Sequence, residues 1–207
     1  MRITHTSASR LMVFSLLASM GLAASASALR AMPTAMRDGR DQEDATSLIA
    51  VVRQGNLDAV RRMAGKGMDV NASVRGDGTA LIVASRRGDL AMVNLLLGLG
   101  ADVNKAVHGE GNPLVAASAA GSLDVMARLL AAGSRVDTIV PDDETALISA
   151  VRNGRLEAVE FLVEHDADVN LGVVANGTEW RSPLNQARSE AIRKYLSGHG
   201  AVVGHPG

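Results

Sequence analysis

One spacing constrains this chain more than any other property. Leucine returns every 33 residues at Leu48, Leu81, Leu114 and Leu147; glycine keeps the same step at Gly55, Gly88, Gly121 and Gly154, and a further leucine at Leu57, Leu90, Leu123 and Leu156. Several independent positions holding one period over four copies is not a chance alignment. A period of this size belongs to units that cannot bury their apolar faces alone and must stack on their neighbours, so the expected architecture is a solenoid with one continuous core. A second in-step set, Val70, Val103, Val136 and Val169, precedes Asn71, Asn104, Asp137 and Asn170 and falls in the segments that link one unit to the next.

The physics of a unit can be read between Thr79 and Asn104. Thr79 is placed to cap a short helix with Leu81, Ala84 and Ser85 on its inner side, and Gly88 stops it. Asp89 can cap a second helix, in which Leu90, Val93, Leu96 and Leu97 recur at three- and four-residue steps and form an apolar stripe that needs a neighbour. Gly100 then stands where a left-handed C-terminal cap is wanted. Small residues at Ala84, Ala117 and Ala150 let successive helix pairs approach closely.

Thr79-Ala80-Leu81, Gly88, Leu95-Leu96-Leu97 and Gly100-Ala101-Asp102-Val103-Asn104 together resemble the ankyrin repeat, and the resemblance extends over residues 44–201. It implies an all-α solenoid of stacked helix-turn-helix units, about four repeats with a C-terminal cap. The departures are informative. The histidine that usually follows Thr-Pro-Leu is replaced by Ile49, Ile82, Val115, Ile148 and Asn185, so apolar packing must substitute for the hydrogen bonds it supports. Val74, Val107, Val140 and Val173 occupy the linking finger where the family usually has aspartate, and Asp166 stands where the earlier units have glycine. The ends look like caps. Met63 and Ala64 weaken the first repeat; Leu147 to Leu184 is 37 residues rather than 33, which lengthens the loop containing Trp180; and the last unit, 182–201, lacks the glycine that divides the other units at Gly55, Gly88, Gly121 and Gly154.

Outside the repeats, residues 1–28 read as a signal peptide. Arg2 and Arg10 form a basic start, an apolar run extends from Leu11 to Ala24, and Ala26-Ser27-Ala28 is a cleavage site. That run is broken by Ser15, Ser19 and Gly21 and is shorter than the roughly 20 apolar residues a span needs, so cleavage after Ala28 is expected and no stable membrane span remains. Residues 29–43 read as a flexible leader and 202–207 as a flexible tail. The expected location is the periplasm or the secreted fraction. The formal net charge of −1 falls to −3 once the signal is removed, which argues against nucleic acid as a partner, because phosphate neutralisation needs a clustered basic excess. With no cysteine there is no disulfide, thiolate ligand or cysteine nucleophile.

A search for chemistry yields little. His108, His165, His199 and His205 include no pair four residues apart on one helix, and there is no phosphate-binding glycine loop or nucleophile elbow. His199 and His205 read as solvated tail residues. Asp142-Asp143-Glu144 is either a solvated turn or a weak cation site, and the solvated reading is taken. Asn71-Ala72-Ser73 and Asn176-Gly177-Thr178 match glycosylation acceptors, which matters only in a host that glycosylates exported proteins. The expectation is a non-enzyme with no cofactor and no metal site.

What remains is surface. The resemblance implies partner binding through the finger tips and the exposed ends of the first helices, which here carry Arg53-Gln54, Arg86-Arg87, Ala119-Ala120 and Arg152-Asn153. Arg53, Arg86 and Arg152 thus form a file with a gap at Ala119. It is either a docking strip for an acidic protein surface, using the bidentate reach of arginine, or a set of pairs with finger acids such as Asp77, Glu110, Asp142 and Asp143. The candidate partner-binding set adds His108 and Trp180, the latter either a staple under the long loop or a binding hot spot. The expected function is a non-catalytic protein-interaction module acting outside the cytoplasm. The alternative is an accessory factor shielding or regulating an exported or membrane enzyme, since the repeats are similar to those of exported bacterial proteins associated with oxidative-stress enzymes and of membrane sensor peptidases.

Overall fold

A computed structural model describes residues 34–140, 144–175 and 177–204. Residues 39–207 form one compact unit, distinct from residues 1–38. The signal segment, its cleavage site and the start of the leader lie outside the described residues, as do Asp142, Asp143, Asn176 and His205.

The chain is an array of helix pairs. Helix α1 (Thr34–Arg53) is followed by α2 (Leu57–Gly65), α3 (Ala80–Arg86) by α4 (Leu90–Gly98), α5 (Pro113–Ala120) by α6 (Leu123–Ala131), α7 (Ala146–Arg152) by α8 (Leu156–Glu164), and a four-residue α9 (Pro183–Gln186) by α10 (Glu190–Gly198). Helix α1 starts at Thr34, well inside the stretch expected to be a leader. No proline interrupts residues 34–53, and once the Leu48-bearing end is packed, each upstream residue adds a hydrogen bond without a new nucleus. Two short antiparallel hairpins form fingers: β1 (Ser73–Val74) with β2 (Gly78–Thr79), and β3 (Val173–Ala175) with β4 (Glu179–Arg181). Among the described residues a single bridge, Val107 to Gly111, marks the second finger.

The caps explain where the helices begin. Thr79 Oγ1 accepts from Ile82 N at 3.2 Å, Thr145 does the same for Ile148, and Asn112 Oδ1 accepts from Val115 N at 2.9 Å with Pro113 at the first helical position. Asp89 caps α4 by accepting from Met92 N at 3.0 Å. Gly88 ends its helix at φ 65°, a conformation that a Cβ would strain.

Packing follows the period. The first helices α3, α5, α7 and α9 stack in one row, and α2, α4, α6, α8 and α10 in a second. Between the rows lie Leu81, Leu114 and Leu147, and Leu96, Leu129, Leu162 and Leu196, none more than 1% exposed. Ala84, Ala117 and Ala150 are fully buried, as close approach of the helices requires. Ile49, Ile82, Val115 and Ile148, which replace the family histidine, are also buried, so apolar contact does occupy that place.

Side-chain amides tie the units together along the linking segments. Asn71 donates through Nδ2 to the Gly100 carbonyl at 3.0 Å and accepts from Asp102 N at 2.7 Å. Asn104 repeats this with Gly133 O and Arg135 N, and Asn170 with Gly200 O and Val202 N. Each bridge satisfies the carbonyl of the glycine that turns the chain out of a second helix.

Leu96 sits mid-array with no exposed surface, so Leu96→Ala should cost about 2–5 kcal/mol through lost burial and a residual cavity. Urea or thermal unfolding checks this, and an unchanged midpoint would mean that the helix register is wrong.

Candidate partner-binding face

The arginine file ends the first helices. Arg53, Arg86 and Arg152 are the last residues of α1, α3 and α7, where a cation offsets the negative end of the helix dipole. All three are ion-paired. Arg53 meets Asp77 in the turn between β1 and β2, and Arg86 meets Glu110 at 2.8 Å in the equivalent turn one unit on. Each of these pairs spans 24 residues, from the end of one first helix to the finger that follows it. The turns themselves are held by Asp77 N donating to Val74 O and Glu110 N to Val107 O.

Arg152 departs from that pattern. Its partner is Glu144, eight residues earlier, at 2.5 Å. Glu144 occupies the place of Gly78 and Gly111, both of which have positive φ, whereas among the described non-glycine residues Asp166 alone does. The Glu144 side chain is 7% exposed, against 23% for Asp77 and 16% for Glu110, making it the most water-excluded acid of the three. Of the acids expected to pair, Asp77 and Glu110 do so; Asp142 and Asp143 lie outside the described residues.

Charge pairing does not hide the file. The arginine side chains are between 42% and 51% exposed, and each uses one guanidinium nitrogen on its acid. Gln54, Arg87 and His108 are also exposed, Arg87 as the C-terminal cap of α3 and His108 at the tip of the second finger. Asn153 is turned back on its own helix, donating through Nδ2 to Ser149 O at 2.8 Å. The gap at Ala119 is partly occupied by Arg155, whose Nε donates to the Ala119 carbonyl.

Trp180 belongs to the hairpin of the fourth finger, opposite Val174. A Cβ built on Gly172 would lie 2.3 Å from the indole ring, so the ring is packed closely against the glycine. The geometry favours the staple over an exposed hot spot. Next to it, Glu179 pairs with Arg181 at 2.7 Å, and that hydrogen bond holds the carboxyl of Glu179 below its ordinary value.

Among the described residues, no group of three or more His, Asp or Glu side chains is placed to hold a metal ion. No helix among them is long and apolar enough to cross a membrane. The sequence reading missed two features, the pairing role of Glu144 and the bridging role of the asparagines. The second was signalled by the 33-residue recurrence of Asn71 and Asn104, which fixes a position but not a bond.

The three pairs should not be energetically equal. Arg53→Ala and Arg86→Ala should each cost under about 1 kcal/mol, with an effect that fades in salt, because both partners reach water. Arg152→Ala should cost about 1–3 kcal/mol, since it leaves a nearly buried Glu144 carboxylate without its donor. Unfolding midpoints at low and high salt measure the order, and equal losses would contradict it.

The comparison with known families agrees with the geometry. A family described as Ankyrin repeats (3 copies) matches residues 15–107 and 104–173, which is well over half of the chain. No curated protein matches the chain significantly. The stacked helix pairs, the fingers between them and this match together place the chain in the ankyrin-repeat family.

Proposed function

We propose that this chain acts outside the cytoplasm, in the periplasm or the secreted fraction, by docking an acidic protein surface on its arginine file and finger tips. Ankyrin repeats generally mediate protein–protein interaction, and proteins built from them are typically non-catalytic. The supporting observation is the arrangement of Arg53, Arg86 and Arg152. They end the first helices of the first, second and fourth units at multiples of one period, each is about half exposed, and among the described residues each is paired with one acid. A guanidinium carries five donors in a planar fork, so a partner carboxylate can add to the finger acid or displace it. The ladder spacing sets the register that a partner must match. Location rests on the basic start, apolar run and Ala26-Ser27-Ala28 site of residues 1–28.

Cross-linking in living cells, followed by mass spectrometry of the full-length protein, tests the reading. The expected result is an extracytoplasmic protein whose recovery falls more for Arg86→Glu than for Arg86→Ala, because charge reversal adds repulsion to the loss of attraction. Equal recovery of the same protein with Arg86→Glu, in a variant whose melting is unchanged, would overturn the docking role. Retention of the chain in the cytoplasm would overturn the location.

A further inference from the structure

The joint between the third and fourth units is chemically unlike its neighbours. At three joints an asparagine makes two bonds to the next unit: its carbonyl accepts a backbone N–H, and its amide donates to the carbonyl of the glycine two residues past the second helix. The third position in this series is Asp137. Its carboxylate still accepts from Asp168 N, at 3.2 and 3.3 Å, so the acceptor half of the bridge is kept. The donor half cannot be, because an ionised carboxylate has no proton to give.

The carbonyl that would receive that bond belongs to Asp166, the residue equivalent to Gly100 and Gly133. Asp166 is also the one described non-glycine residue with positive φ, at 65°. An ionised Asp137 therefore presents two acceptors, its own carboxylate and the Asp166 carbonyl, at the place where the other joints match a donor to an acceptor.

The charged surroundings do not compensate. From the fourth unit, Asp168 faces Asp137 with a further carboxylate, and the Asp166 side chain is exposed nearby in sequence. From the second unit comes neutral Asn104, already committed to Gly133 O and Arg135 N. On its own segment, Arg135 is the one cation, and among the described residues it forms no ion pair with Asp137.

We infer that this joint is a proton-operated latch: when the Asp137 carboxyl is protonated, its hydroxyl donates to the Asp166 carbonyl and completes the bridge that asparagine makes elsewhere. When it is ionised, the fourth unit is held at this edge by one bond instead of two. Burial raises the Asp137 carboxyl above its ordinary value of 3.8, the N–H of Asp168 works against that rise, and the Asp168 carboxylate adds to it. A raised folded-state value fixes the sign. The stabilising contribution is complete below about pH 3.8 and is lost as pH rises through the folded value, opposite to the usual behaviour of a paired carboxylate.

The test compares the full-length protein with Asp137→Asn and Asp166→Gly by thermal unfolding from about pH 4 to about pH 8. Asp137→Asn supplies the missing donor permanently, so it should raise Tm by about 2–4 °C at neutral pH, with the gain shrinking toward zero as the solution is acidified. Asp166→Gly should raise Tm across the whole pH range, because it relieves the left-handed backbone, and its gain should not disappear on acidification as that of Asp137→Asn does. A carboxyl titration of Asp137 followed by NMR should show a folded value above that of the unfolded chain. A gain from Asp137→Asn that is absent at neutral pH or constant across the range would overturn the latch, as would an Asp137 carboxyl that titrates at or below its ordinary value.

Discussion

Everything in this molecule depends on apolar contact between neighbouring helix pairs. A pair such as α3 and α4 is too small to enclose its own leucines, and its stripe becomes a core only when the pairs before and after it close over both sides. Leu81, Leu114 and Leu147 in one row and Leu96, Leu129 and Leu162 in the other are buried because each is covered by its counterparts a period away. Stability is therefore a property of neighbours rather than of units. It also explains why isoleucine and valine can stand in place of the family histidine: the position is already inside a continuous apolar interior, where a well-packed side chain with no polar atoms leaves nothing unsatisfied.

The polar features are arranged around that interior and refine it. Helix caps decide where each short helix starts, asparagine bridges join the linking edges, and arginine–acid pairs join helix ends to fingers. The pairs lie at the rim, so they contribute modestly to stability and leave charged donors accessible. The same surface steadies the fingers and, in the function proposed above, is the one that docks an acidic partner.

Much of this was legible in the sequence, for a physical reason: periodic contacts write themselves as periodic residues. The caps at Thr79 and Asp89, the stop at Gly88, the close approach at Ala84 and the left-handed turn at Asp166 all follow from local rules applied once and repeated. The pairing of Arg53 with Asp77 and Arg86 with Glu110 was one of two readings, because spacing alone does not say whether an exposed charge meets a finger acid or a partner. Glu144 was read only as part of an acidic turn, since the period places it at the site of Gly78 and Gly111, where the other units give no sign of a bond to the arginine that ends a first helix. The start of α1 at Thr34 was missed because that stretch has no apolar period to announce a helix. The packing of Trp180 against Gly172 depends on the hairpin register, which the four extra residues of that loop do not encode by themselves.

If stacked equivalence is the organising constraint, removing one whole period from the middle should leave a shorter molecule with its contacts intact. Deletion of Ala80–Asn112, thirty-three residues, joins Thr79 to Pro113 and brings the layer containing Leu114 against the one containing Leu48. The account predicts that this protein still unfolds in a cooperative transition, at a lower temperature than the full array, whereas a deletion three residues shorter from the same start does not fold. Loss of cooperative unfolding in the thirty-three-residue deletion, or equal tolerance of both, would contradict it.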